Sequence, residues 1–394
     1  MSTDKYAVIL VRGDIDRFKH NVLFAGELTA AFNRKQWRAL TLDYILDSKA
    51  VFAALRDPLC SFFVTFNGFG TELEMPTIEP GRLAPAFEAF GKPVLDIMHD
   101  CPVHESMLHQ LKSTYAARKL FITDYAYARM ASDIGVKNVV FVPSITFPTA
   151  KRTFKSPTVK NIRILFAAGF SAPSYSRDRF DISTTKGRIY RDILDLITAK
   201  CGDNWALDPL TEVLNALADL DIFFAGSNPD HRFLLTTIID YTKFDRRDKI
   251  LSAIRDLPVT LVTDREINPA KLGSDMTVLP DRSATEILQL MANSSIVLSP
   301  TTHMAGFHER PLSAFTVGSA VVSAPCGPLQ ASFSHGKDIL FFSDPTELRH
   351  SLQTLLSDND YCNSIGQAGK LKASNLFSPD RLIETMLNSI RNLQ

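Results

Sequence analysis

Short apolar runs alternate with helical periods along this chain, and that alternation restricts it to a parallel, doubly wound α/β architecture. In the first 150 residues the apolar runs fall at 6–11, 38–42, 61–66, 93–98, 119–123 and 139–142. Helical periods lie at 21–35, 47–56, 83–90, 105–113 and 126–134, and residues 67–81 form a loop rich in Gly and Pro. The Pro-, Lys- and Thr-rich stretch FPTAKRTFKSPTVK then breaks the pattern. Strands are expected again at 162–167, 221–224, 259–262, 296–298, 320–323 and 339–342, with helices at 189–198, 211–217, 284–293 and 346–357. Helices at 360–373 and 379–392 finish the chain. These signals predict two Rossmann-like domains, 1–150 and 161–375, joined by a linker at 151–160. The segment 376–394 is placed to pack back on the first domain. Two successive βα domains imply a cleft between them, the usual place for a ligand.

Charge narrows the function classes. Forty-three basic residues offset 43 acidic ones, which gives no support for a nucleic-acid binder or for broad attraction to anionic lipid. Peripheral membrane contact stays open, as does oligomeric state. Five scattered cysteines without a CxxC pair fit a reduced, cytoplasmic protein. The N-terminus lacks a signal-peptide core, and no apolar stretch approaches a membrane span.

The stretch 301–356 is the most informative for chemistry. A polar loop follows an apolar strand, and a short helix then runs to Gly318 before the next strand. A loop and a helix N-terminus at the end of a parallel strand form an anion-binding place. GFHER supplies Gly306, His308 and Arg310 there. Arginine matches phosphate geometry bidentately, and histidine can donate to a phosphate or sugar oxygen. Glu309 either accepts bonds from sugar hydroxyls or pairs with Arg310. Proline at 311 is expected at N1 of the helix. Asp344 is expected to cap the helix after Pro345. Upstream, ILFAAGF ends a strand at Gly169, and TTKGRIYRDIL places Lys186 and Gly187 at a helix start. A diphosphate needs cations and exposed backbone N–H groups, which these residues offer, with Arg177 and Arg179 in the intervening loop.

The order and spacing of 162–374 resemble the donor half of glycosyltransferases with two Rossmann-like domains, the GT-B architecture of family 4-like enzymes. In that family two glutamates eight positions apart serve the donor. Here Ala305 and Ser313 fall at those positions, while Gly306, Phe307, Ala314 and Gly318 keep the register. Gly-x-His-x-Arg at this place resembles a divergent branch, the spore-maturation-type glycosyltransferases. The resemblance implies transfer of a sugar from a UDP- or GDP-sugar to a hydroxyl of a glycan, a lipid-linked acceptor or a protein. Gly169, Lys186, Gly187, His308, Arg310 and Ser313 would hold the donor, with Lys186, His308 and Arg310 offsetting charge on the leaving diphosphate. It also implies no cofactor and no bound metal. The missing glutamates leave open a catalytically degenerate binding module, and a nucleotide-sugar epimerase is a further alternative.

On the N-terminal side, SFFVTFNGFGTE places Asn67, Gly68, Phe69 and Gly70 after a strand. They either shape an acceptor pocket or make a turn. PVLDIMHDCPVH places His99 and Asp100 at the carboxyl end of another strand, where either could take a proton from an acceptor hydroxyl. Asp124 reads as a helix cap. Cys101, His104 and His109 lack the spacing of a metal site. No G-x-S-x-G, P-loop or G-x-G-x-x-G occurs, against hydrolase, NTPase and simple dehydrogenase readings.

Overall fold

The computed structural model describes residues 5–391 apart from 17, 71, 72, 77–80, 82, 103–106, 108–114, 153–158, 171–177, 203, 266, 301–305 and 307. The helix expected at 105–113 and the greater part of the linker therefore lie outside the described residues. The chain forms two compact units, Met1–Phe154 with Ser283–Thr285 and Leu376–Gln394, and Lys155–Arg282 with Glu286–Asn375.

The first unit is a parallel sheet in the order β2-β1-β3-β6-β7-β8. Its strands are β1 (Tyr6–Val11), β2 (Arg38–Asp43), β3 (Cys60–Phe66), β6 (Val94–Met98), β7 (Arg118–Ile122) and β8 (Val139–Phe141). Every residue of β1 is buried, as a strand covered on both faces requires. Helices α1 (His20–Arg34), α2 (Ser48–Arg56), α3 (Ala86–Ala89), α4 (Tyr125–Asp133) and α5 (Pro148–Arg152) complete this part of the chain. The run 83–90 is only half helical: Leu83–Pro85 is a strand, β5, paired antiparallel with β4 (Glu74–Pro76), before α3 begins. Pro85 precedes the helix and holds extended backbone, which delays its start.

Glu27 on α1 is buried and accepts from the N–H groups of Thr149 (3.0 Å) and Ala150 (2.7 Å) in the first turn of α5. Burial pushes its carboxyl above the ordinary 4.5, against the lowering pull of those N–H groups and of Arg34. A carboxyl raised on folding gives its full stabilisation below pH 4.5, and that contribution fades as pH rises through the raised value. Urea melts of the wild type and Glu27→Gln across pH 4–8 test this. The wild type is expected to lose stability relative to the variant as pH rises above 4.5.

The second unit is a parallel sheet in the order β11-β10-β9-β12-β13-β14. Its strands are β9 (Ile162–Ala167), β10 (Val259–Thr263), β11 (Thr277–Pro280), β12 (Ser294–Ser299), β13 (Ala320–Ser323) and β14 (Leu340–Phe341). Its helices are α6 (Thr185–Cys201), α7 (Pro209–Asp219), α8 (Pro229–Ala253), α9 (Ala284–Ala292), α10 (Glu309–Val317), α11 (Gly327–Ser332), α12 (Pro345–Ser357) and α13 (Asn359–Leu376). Asp344 caps α12 through the N–H groups of Thr346 and Glu347. The last helix, α14 (Pro379–Arg391), belongs to the first unit. It meets α1 through Arg34–Asp380 (3.0 Å) and Lys35–Glu384.

The expected strand at 221–224 is a correction. Residues 221–227 form an irregular loop between α7 and α8, opened by Asp221 in the left-handed region (φ 56°). Neither neighbour of β9 comes from this segment, since β10 and β12 flank it. The apolar run instead stacks Phe224 on His231 and leaves Phe223 88% exposed. The 25-residue α8 and the strand β11 were absent from the sequence reading. Asn228 caps α8, Pro229 opens it, and Leu234, Leu235, Ile238, Thr242, Arg246 and Ile250 repeat along its buried face.

Candidate active site

In an open parallel sheet the ligand crevice forms where successive connections leave in opposite directions, outside the carboxyl ends of the strands. In the second unit that point is β9 with β12, whose register pairs Leu298 with Phe166. Gly169 follows β9, and α10 follows β12.

His308 is the N-cap of α10, in extended conformation, and its Nδ1 lies 3.3 Å from the Arg310 N–H. The helix therefore starts at Glu309, and Pro311 sits in the first turn rather than at N1, where its missing N–H still leaves no broken bond. The same Nδ1 is 2.9 Å from a Glu309 carboxylate oxygen. It cannot serve both: neutral, it accepts from the amide; protonated, it donates to the carboxylate. Glu309 thus lies against His308. Among the described residues nothing accepts a hydrogen bond from the Arg310 guanidinium, although the side chain is half-buried and desolvation lowers its pKa. Ser313 is half-buried one turn further on the same helix face. Gly306 is buried, its carbonyl 3.3 Å from the Cys326 thiol. Ala305 and Phe307 lie outside the described residues.

Arg247, which the sequence reading missed, reaches this place from α8. Its Nη1 donates to the Gly169 carbonyl. Burial and then the charge of Arg310 push its pKa down to about 10, against the pull of Asp264 and Asp240. Asp264 follows β10, with a carboxylate oxygen 3.1 Å from where a Cβ on Gly169 would stand. Arg247 could have been found only after α8 itself was recognised.

Lys186 is elsewhere. It is exposed and paired at 2.9 Å with Asp230, in the first turn of α8. Arg247 is near the other end of that unbroken helix, about 25 Å along the axis at 1.5 Å per residue, beyond what the side chains span. The structure therefore brings Gly169, His308, Glu309, Arg310 and Ser313 to one end of the sheet and leaves Lys186 out. Gly187 serves packing. A Cβ there would stand 1.8 Å from the Asp181 carbonyl oxygen, and its N–H is capped by Thr184 (2.9 Å). Arg179 lies over the Phe233 ring at 4.7 Å, and Arg177 is outside the described residues.

In the first unit the same switch lies at β1 with β3, because β2 and β3 flank β1. Asn67, Gly68 and Gly70 follow β3 with positive φ (49°, 79° and 86°), a tight turn that glycine makes without strain. Phe69 is buried. Asn67 ties two strand ends together: its Oδ1 accepts from the His99 N–H (3.0 Å), and its Nδ2 donates to Asp100 (2.8 Å). Beneath the turn, the buried Asp96 carboxylate accepts from Gly68 N–H (2.9 Å), the Thr65 hydroxyl (2.9 Å) and Arg118. Asp100 is exposed. The His99 ring is walled by Phe24 (5.1 Å between centroids), His20 (5.4 Å) and Phe66 (6.3 Å, stacked). Asp124 caps α4 through the Tyr127 N–H. His104 and His109 lie outside the described residues.

Comparison with known proteins bears on the fold. Residues 246–388, which carry Arg247, His308, Glu309, Arg310 and Ser313, match a family model described as glycosyl transferase-like. No curated protein matches the chain. Among solved structures, HepE of Anabaena in complex with UDP and glucose is 12% identical at a TM-score of 0.51, over 98% of this chain and 100% of that one. Sucrose-phosphate synthase of Thermosynechococcus elongatus is 12% identical at 0.52, over 99% of each chain. AviGT4, a glycosyltransferase of avilamycin A biosynthesis, is 13% identical at 0.51, over 98% of each. The chain has the GT-B fold. Among the described residues no helix is long and apolar enough to cross a membrane.

Proposed function

We propose that this GT-B protein is a metal-independent glycosyltransferase that moves a sugar from a nucleoside-diphosphate sugar to an acceptor hydroxyl. The observation that carries the reading is Arg310. A half-buried guanidinium with no hydrogen-bond acceptor among the described residues, at a helix N-terminus beside the switch point of a parallel sheet, is built for an anion. The glycosyl transferase-like match over 246–388 and the UDP complex of HepE support reading the anion as a nucleoside diphosphate. In this reading the bond from the sugar C1 to the diphosphate breaks with its electron pair moving to the phosphate. Arg310, His308 and the Glu309 N–H at the start of α10 stabilise that charge, the part a metal plays elsewhere. The acceptor oxygen bonds to C1 and passes its proton to a base, the role proposed for Asp100.

Calorimetry against UDP, GDP and ADP tests the reading. One of the three is expected to bind, and Arg310→Ala is expected to weaken it by about 1.5–3 kcal/mol, the range for hydrogen bonds to a charged group. If none binds, the donor reading fails. Binding with no turnover of any nucleotide sugar would favour the degenerate binding module.

A further inference from the structure

We propose that Arg247 is a second phosphate-binding cation of the donor site, and that it, rather than Lys186, shares the leaving diphosphate with Arg310. This rests on the donor reading above. Arg247 comes from the C-terminal part of α8, and its Nη1 bond to the Gly169 carbonyl fixes the guanidinium at the carboxyl end of β9. Its Nε is closed to solvent and has no hydrogen-bond partner among the described residues. Arg310 stands close enough for its charge to act on Arg247, and among the described residues it has no acceptor of its own.

Two guanidinium groups held together away from water repel, and that arrangement persists where something negative bridges them. The neighbouring carboxylates do not fill that role for both. Asp240 is engaged by Lys243 at 2.5 Å, the charge of Asp264 acts on Arg247, and Glu309, whose charge acts on Arg310, also lies against His308. A diphosphate offers oxygens on two phosphorus atoms, one for each guanidinium fork. When the sugar C1–O bond breaks, the electron pair moves onto the diphosphate between the two arginines, while C1 takes the acceptor oxygen and the acceptor's proton leaves to the base.

Calorimetry with UDP, GDP, ADP and inorganic pyrophosphate on the full chain tests this, using Arg247→Ala, Arg247→Lys, Arg310→Ala and Lys186→Ala. Arg247→Ala is expected to weaken both pyrophosphate and the nucleotide that the wild type binds by about tenfold or more. Arg247→Lys, which keeps charge but not the fork, should fall between. Lys186→Ala should bind within about twofold of the wild type, since Lys186 is exposed and paired with Asp230. Unchanged thermal melting of Arg247→Lys separates lost binding from lost folding. If Arg247→Ala and Arg247→Lys bind like the wild type while Arg310→Ala does not, the assignment of Arg247 is overturned and the donor reading stands. It is equally overturned if Lys186→Ala loses as much as Arg247→Ala. If the wild type binds neither a nucleotide nor pyrophosphate, the donor reading falls and takes this assignment with it.

Discussion

Arg118→Ala is expected to lose about 3–5 kcal/mol of folding stability, the range for breaking a buried ion pair by removing one partner. Asp96 has no exposed surface in the middle of β6, and Arg118 on the neighbouring β7 supplies its counter-charge. Without the guanidinium, the Thr65 hydroxyl and the Gly68 N–H are left to support a carboxylate that water cannot reach. The loss should spread to the candidate acceptor corner, because Gly68 and Asn67 share one turn. Chemical denaturation reads the effect, and a double-mutant cycle with Asp96→Asn isolates the pair. The double variant should be less destabilised than the two single variants summed. Strict additivity would show that the two charges do not act together.

The parallel strands were legible because a strand buried on both faces is written as an uninterrupted apolar run, as in YAVILV of β1. The same criterion misfired at 221–224. There the run is equally apolar, but Asp221 turns the chain and the Asn228–Pro229 pair starts a helix directly after it. The helix itself escaped notice because Asp240, Asp245, Arg246, Arg247 and Asp248 interrupt its apolar stripe. For the site, His308–Glu309–Arg310 could be read because the residues are contiguous and the helix start orients them. Arg247 meets Gly169 only after a strand, two helices and a loop have folded. Lys186 stands apart from the other candidates for the converse reason. Its Lys-Gly pair does open a helix, but the ion pair to Asp230 ties that helix start to the far end of α8. Asn67 does more than shape its loop. It makes the turn, and its amide also sets the two groups beside the candidate acceptor corner.

Within that corner, Asp100→Asn is expected to lower the turnover of a bound nucleotide sugar by about 10²–10⁴-fold, the usual contribution of a general base. His99→Phe is expected to lose far less. Both residues stand at the end of β6, but their surroundings differ. The His99 ring is packed between Phe24 and Phe66 with His20 at its edge, and its Nε2 is closed to solvent. Its chief contribution is therefore aromatic packing that phenylalanine can supply. Asp100 is exposed, and the Asn67 amide holds one carboxylate oxygen at 2.8 Å, which orients the group toward whatever enters from solvent. Asn67→Ala should fall between the two, with a loss of about tenfold, because the base remains but its orientation does not. Release of nucleoside diphosphate from the nucleotide sugar that binds, with water in the acceptor's place, measures all three variants. Nucleotide affinity should stay unchanged in each, since these residues belong to the first unit's sheet and the phosphate cations to the second's. A large loss in His99→Phe with Asp100→Asn near wild type would reverse the two roles.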